Sequence, residues 1–192
     1  IGNNALDART AGSNCVAIGF NAGTTESIGV GQNTSVGAYA GDVVTTGTNN
    51  CSLGYQADPT AADATNEVTL GNSSISAIRC QVQTISALSD VRDKENIEEL
   101  PLGVDFVNKL RPVKFDWAMR DGAQQGVQEI GFVAQELDQA QQEADAEEYM
   151  RLVLKTNPER LESSYGKLMP VAIKAIQELS EEITELKSKL KH

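Results

Sequence analysis

The sequence of 192 residues is almost without histidine; the one it has, His192, is the last residue. That scarcity argues against a Ser-His-Asp triad, a Cys-His dyad or a multi-histidine metal site within one chain. Cysteine is scarce as well. Cys15, Cys51 and Cys80 are far apart, odd in number and form no Cys-x-x-Cys, so zinc and thioredoxin-type readings fail on spacing. They read as small half-buried side chains in a reducing compartment, with a Cys15–Cys51 disulfide as the alternative. Positive charge is short: 16 Lys and Arg against 27 Asp and Glu leave a net charge of −11. A surface of that sign disfavours nucleic acid and anionic membranes, both of which need cations. There is no apolar run of about eighteen residues, so no membrane span is expected. The first residue is Ile1, with no charged segment leading into an apolar one, so the chain reads as lacking a signal peptide and as a piece of something longer. No cofactor or metal is expected.

What is present is split in two. Residues 1–89 hold only eight charged side chains: Asp7, Arg9, Glu26, Asp42, Asp58, Asp63, Glu67 and Arg79. They lack Lys, Trp and Met, and Gly, Ala, Asn, Ser and Thr dominate. Residues 90–192 carry every Lys, the single Trp117 and all three Met. So sharp a change near residue 89 suggests two domains, 1–89 and 90–192, with different folding logic.

The first half repeats. Ile1-Gly2-Asn3-Asn4-Ala5 recurs as Ile18-Gly19-Phe20-Asn21-Ala22, Val36-Gly37-Ala38-Tyr39-Ala40 and Leu53-Gly54-Tyr55-Gln56-Ala57. A degenerate copy follows at Leu70-Gly71-Asn72-Ser73-Ser74. The glycines fall every 17 or 18 residues, the mark of a stacked architecture. Each unit offers a short strand and a polar loop of turn formers, such as Gly12-Ser13-Asn14 and Gly47-Thr48-Asn49-Asn50. One coil has too few large apolar side chains for a core of its own. Gly and Ala at fixed positions instead permit close backbone approach, which favours a β-solenoid or interlocked chains. A Gly/Ser-rich flexible linker is the bland alternative, but a linker does not keep an apolar residue before each Gly in register. Residues 1–75 resemble the head repeats of YadA-like trimeric adhesins and repeats near the ends of phage tail fibres. The resemblance implies a trimeric β-roll or β-helix. Residues 76–89 alternate at Ile78, Cys80 and Val82 and read as a strand leading to the junction.

In the second half, Val104, Val107 and Leu110 predict a short helix over 103–110, ended by Pro112. Val113-Lys114-Phe115-Asp116-Trp117 alternates as a strand. Ile130-Gly131-Phe132-Val133 is apolar, and Ala134-Gln135-Glu136-Leu137 starts a helix. Gln139 to Glu148 is polar and acidic and reads as solvated surface. Leu152-Val153-Leu154 and Leu161 flank an Asn157-Pro158 turn, suggesting a hairpin. From Tyr165 onward Ile176, Leu179, Ile183, Leu186 and Leu190 form an a/d seam, with Pro170 near its start. The seam reads as an oligomerisation signal rather than an ordinary core-facing stripe. Ile at a with Leu at d favours two strands, whereas the repeats imply three. So short a seam specifies number weakly, and three is preferred. The fold expected is therefore mixed: a repetitive trimeric β-roll or β-helix, then an α+β domain ending in a long coiled-coil-like helix.

The chemistry-bearing run lies at the junction: Leu88-Ser89-Asp90-Val91-Arg92-Asp93-Lys94-Glu95-Asn96-Ile97. Ser-Asp-x-Arg-x-Lys-x-Asn-Ile resembles the opening of the endosialidase-type intramolecular chaperone domains of phage tail spikes and fibres. Further matches follow in order at Leu110–Trp117, Gly131–Glu136, Tyr165–Leu168 and Ala175–Leu179. Glu129 departs from the family, which often has His there. The resemblance implies that residues 90–192 trimerise, fold the β-helix and then cut themselves off between Ser89 and Asp90. It implies Ser89 as nucleophile and Lys94 as base, a self-cleaving serine endopeptidase. It also places residues 1–89 on a virion tail fibre or spike, joined to an upstream fibre, and the released domain in the host cytoplasm. Residues 1–89 could then meet a host receptor or glycan.

The residue types suit that chemistry. A serine hydroxyl needs a base to remove its proton. An ordinary lysine titrates near ~10.4, so a lysine base requires burial or neighbouring cations. Arg92 could supply a like charge, whereas Asp90 and Asp93 would oppose the shift. Enclosure on assembly would then be the switch. The bland alternative makes Ser89-Asp90 a helix N-cap and Lys94 a surface charge. Two other functions compete: an uncleaved, receptor-binding fibre tip or adhesin, and an enzyme on an external glycan. The last needs paired carboxylates in a cleft, and the acidic residues here fall mostly in helical and solvated runs.

Overall fold

The computed structural model describes residues 1–8, 14–26, 31–82 and 84–190. Arg9, Gly12, Ser13 and His192 lie outside the described residues. Two compact units are present. The first comprises Ile1–Ile78, Trp117–Val127 and Thr156–Arg160; the second comprises Arg79–Asp116, Gln128–Lys155 and Leu161–His192.

In the first unit, four three-residue strands form one parallel sheet in chain order: β1 (Val16–Ile18), β2 (Thr34–Val36), β3 (Cys51–Leu53) and β4 (Val68–Leu70). Val16 lies opposite Thr34, Thr34 opposite Cys51, and Cys51 opposite Val68. Each step thus advances the chain by one repeat. The middle residue of the first three strands, Ala17, Ser35 or Ser52, points inward and is buried. Ala22, Ala40 and Ala57 are wholly buried in the turns that follow. Only small side chains fit, because the backbone doubles back within a few residues.

The repeat glycines continue the ladder: the N–H of Gly37 donates to Ile18 O, that of Gly54 to Val36 O and that of Gly71 to Leu53 O, each at 2.8 Å. Gly19 and Gly37 have φ of +139° and +134°. A Cβ on Gly37 would overlap the carbonyl oxygen of Gly54, so both the dihedral and the spacing demand glycine. Asparagine takes several of the other positive-φ positions, beside Leu6, Gln32, Tyr39 and Gln56. Asn14, Asn49 and Asn66 take positive φ before a strand, where Asn is tolerated best after Gly. Asn33 and Asn50 are buried and stack. Asn50 N–H donates to Asn33 Oδ1 at 2.9 Å, and Asn50 Nδ2 donates to Ala64 O at 2.8 Å. The outward residues Val16, Ile18, Leu53, Val68 and Leu70 are exposed in the single chain. Phe20, Tyr39 and Tyr55, one on each of three successive coils, stack edge to face at 5.3 and 6.1 Å between centroids.

The second unit contains helix α1 (Val104–Val107), the antiparallel pair β5 (Val113–Asp116) and β6 (Gln128–Gly131), helices α2 (Ala134–Glu143) and α3 (Glu147–Met150), the pair β7 (Val153–Leu154) and β8 (Glu162–Ser163), and the long helix α4 (Leu168–Lys189). Its core gathers Leu102, Phe106, Leu137, Ala140, Ala146, Met150, Leu152, Val153 and Val171. Each large side chain so buried is worth about 1.5–3 kcal/mol. α4 turns Val171 and Ala175 into the protein. Its Glu178 accepts from the N–H of Val104 at 2.8 Å and so caps α1. Gly103 leaves the room: a Cβ there would overlap the Glu178 carboxylate. Pro170 sits in the first turn of α4, where a missing N–H costs nothing.

Three expectations fail. Residues 76–89 carry no strand among the described residues; their alternation finds no ladder partner within one chain. The run from Gln139 to Glu148 is not all solvated surface. Ala140, Gln141 and Ala146 are buried, and Gln141 Oε1 accepts the N–H of Leu152 at 2.9 Å while its Nε2 donates to Asp138 Oδ1 at 2.8 Å. Of the three cysteines expected to be half-buried, Cys15 and Cys51 are so but Cys80 is exposed, and the alternative disulfide between Cys15 and Cys51 is not formed.

Candidate active site

Ser89, Asp90 and Lys94 belong to the second unit and lie on an exposed segment. One feature of local structure organises it, a single 3-10 turn over Val91–Asp93. Asp90 is its N-cap, and the carboxylate accepts the N–H of Arg92 at 2.9 Å. That is ordinary capping by an aspartate at an unsatisfied helix start. The Arg92 side chain reinforces it: Nε donates to Asp90 Oδ1 at 3.0 Å and Nη2 to Oδ2 at 2.6 Å. The guanidinium fork holds the Asp90 carboxyl below the usual carboxylate range. Asp93 N–H donates to Asp90 O, and Lys94 N–H to Val91 O, both at 3.2 Å.

The turn shortens the path between Ser89 and Lys94. Lys94 Nζ donates to Ser89 Oγ at 2.7 Å. An extended segment would hold residues five apart by about 17 Å. The tight turn is what joins them. Arg92 is spent on Asp90, so the carboxylate beside the serine is neutralised by the guanidinium rather than by Lys94. The sequence singled out Arg92 only as a possible like charge. Its pairing with Asp90 is a separate role, signalled by the Asp-x-Arg spacing. The N-cap alternative and the Ser-Lys contact are both realised, because Asp90 caps while Ser89 stays available. Glu129 lies on β6 opposite Phe115.

With Nζ donating, the Ser89 hydroxyl oxygen is the acceptor of this contact, and proton removal from Oγ would need the amine to have lost its own proton first. Neutral lysine can take the Oγ proton across a 2.7 Å hydrogen bond. Both side chains are exposed in a single chain, so nothing in that chain excludes water from them. Among the described residues no cluster of His, Cys, Asp and Glu could hold a metal ion, and no helix is long and apolar enough to cross a membrane.

Residues 89–146 match the peptidase family described as chaperone of endosialidase. The matched segment opens at Ser89, contains Lys94 and ends within the core of the second unit. The match supports a chaperone domain of the kind associated with phage tail proteins in this half of the chain. Among curated proteins and among solved structures, nothing matched.

Proposed function

We propose that this chain is the C-terminal part of a phage tail fibre or spike. Residues 90–192 act as a trimeric folding clamp for the β-helical residues 1–89, and are then released by autoproteolysis between Ser89 and Asp90. The observation that carries the reading is the Ser89 Oγ–Lys94 Nζ hydrogen bond at the first residue of the family match. A second feature supports trimerisation. Ile176, Leu179, Ile183 and Leu186 of α4 are exposed, because the helix uses Val171, Ala175 and Glu178 for its own domain. The apolar face of β1–β4 is likewise uncovered in one chain.

A helical clamp raises the effective concentration of the three chains and sets their register, the slow step for non-local β-pairing. Burial of Lys94 on assembly would favour its neutral form and arm the dyad. Cutting then makes shaft formation kinetically one-way. Residues 1–89 remain on the virion, with the exposed coil available to a host-surface receptor or glycan.

The purified wild-type chain, run on a denaturing gel, is expected as fragments of 89 and 103 residues. Ser89→Ala should leave it whole with the same oligomeric size. Lys94→Arg should also leave it whole, since guanidinium does not yield its proton. Normal processing of Ser89→Ala would remove the nucleophile, and an intact wild-type chain would favour an uncleaved fibre tip.

A further inference from the structure

The serine proposed as nucleophile is also the residue whose carbonyl would be cut. This creates a geometric conflict. Ser89 Oγ and the Ser89 carbonyl carbon are joined through Cβ and Cα. Attack within one chain would close a four-membered lactone, and the tether keeps Oγ off the approach line a carbonyl requires. The easier in-chain attack forms a five-membered ring on the Leu88 carbonyl. That would cut the Leu88–Ser89 bond instead.

The turn adds to the conflict. Asp90 is held by three hydrogen bonds from Arg92, at 2.9, 3.0 and 2.6 Å. The chain just after the scissile bond is therefore pinned into the 3-10 turn and cannot swing the carbonyl toward its own Oγ. Nucleophile and base, in contrast, sit together on one chain at 2.7 Å. Each chain thus carries a complete dyad and lacks a carbonyl that the dyad can reach. The surroundings are open to a second copy: Val82, Ile85, Leu88 and Val91 are apolar and exposed on the same segment.

Resting on the proposed cleavage at Ser89–Asp90, we infer that the dyad cuts in trans, each Ser89 attacking the carbonyl of the partner's Ser89 in the next chain of a ring. Lys94 Nζ takes the Oγ proton as Oγ bonds to the partner's carbonyl carbon. The tetrahedral intermediate collapses with loss of the partner's Asp90 nitrogen, which takes the proton from Lys94 and leaves as a new amino terminus. An ester then joins the carboxyl end of the partner's 1–89 fragment to Ser89 Oγ of the attacking chain. Water hydrolyses it, giving a carboxyl terminus on one chain and restoring the hydroxyl on the other. No oxidant or cofactor enters. In a cyclic assembly each chain is donor to one neighbour and acceptor from the other.

The test is co-expression of the full wild-type chain with the full Ser89→Ala chain in equal amounts, followed by mass analysis of the fragments. The substitution itself labels the 1–89 fragment, so no tag is needed. Ser89 is exposed and makes no core contact, so the variant keeps the fold. In trans, an Ser89→Ala chain is cut whenever its donor neighbour is wild type. About half of the Ser89→Ala chains and about half of the wild-type chains should then be cut, whatever the ring size. Ser89→Ala expressed alone should remain whole. A Ser89→Ala, Lys94→Ala double variant should be cut in the mixture to the same extent, because acceptors need no dyad. Mixing Ser89→Ala with Lys94→Ala chains should give no cutting, because no chain then holds both groups.

Three results overturn the inference. The first is full cutting of wild-type chains with no cutting of Ser89→Ala chains in the same mixture. The second is recovery of cutting on mixing Ser89→Ala with Lys94→Ala. The third is a first fragment ending at Leu88. Processing of Ser89→Ala on its own would instead remove the dyad reading, and a wild-type chain that never cuts would remove both.

Discussion

Gly37→Ala changes one hydrogen atom to a methyl group and should disable a coil of the first unit. The parent residue has φ +134°, a region that costs a residue with a Cβ about 1–3 kcal/mol. The new Cβ would also overlap Gly54 O, an atom of the next rung. Relief requires the two rungs to separate, and overpacking of this kind costs about 1–3 kcal/mol. Separation stretches the Gly37 N–H bond to Ile18 O and the Gly54 N–H bond to Val36 O, both 2.8 Å. Together these give about 2–6 kcal/mol, a large share of the ~5–15 kcal/mol that keeps a domain folded. Gly126→Ala is the control. Its φ is +74°, yet nothing lies within 4 Å of the new atom, so only the backbone penalty of about 1–2 kcal/mol applies. Hydrogen exchange at the Gly54 amide is the assay, because it reads local opening. Protection should fall at least about 25-fold in Gly37→Ala, from about 2 kcal/mol at tenfold per ~1.4 kcal/mol. Protection within about threefold of the parent would refute the claim that rung spacing, rather than chain flexibility, selects glycine there.

A second prediction concerns acid. Partial burial, with the Asp42 charge added, pushes Asp58 up to about 6 against the opposing pull of the backbone N–H groups of Gly41, Asp42 and Val43. Its Oδ1 is buried without a partner among the described residues. The folded state then binds the proton more tightly than the unfolded chain, whose value is 3.8. Stability from this group is complete below about pH 4 and is lost as pH rises through about 6. Screening of a half-exposed group reduces the loss to about 1 kcal/mol. Asp58→Asn should flatten that slope in urea denaturation between about pH 4 and about pH 6.5, and an unchanged slope would clear Asp58. Gln141→Leu should cost about 1–3 kcal/mol, because it strands the N–H of Leu152 in the core. Gln139→Leu, two residues away and exposed, should stay within about 0.5 kcal/mol; equal effects in thermal melts would refute the buried role.

How much was legible differs from residue to residue. The repeat was visible in the primary structure because glycine is selected by local dihedral and close approach. A positive φ at residue 37 and contact with residue 54 leave the same mark at every rung. Secondary structure in the second half was readable where a local cue existed, as at Pro112 before β5 or the a/d spacing along α4. Gln141 was not readable. It lies in a polar run, and its acceptor role is set by Leu152, eleven residues on and across a turn. The cap of α1 is similar, since Glu178 reaches Val104 only because α4 folds back over α1. Residues 76–89 show the opposite failure: the alternation is there, but a strand needs a partner ladder, and one chain does not provide it.

The site divides along the same line. The chemical types were legible in the primary structure, a hydroxyl and an amine five residues apart with the single histidine, His192, far along the chain, because composition and order need no folding. That they meet is a matter of folding. Spacing of five fits an extended segment about 17 Å long as well as a closed turn. The choice fell to the turn because Asp90 caps the 3-10 helix and Arg92 locks the cap with a two-point charged hydrogen bond. That leaves Lys94 Nζ 2.7 Å from Ser89 Oγ, a distance set by backbone geometry that no residue list contains.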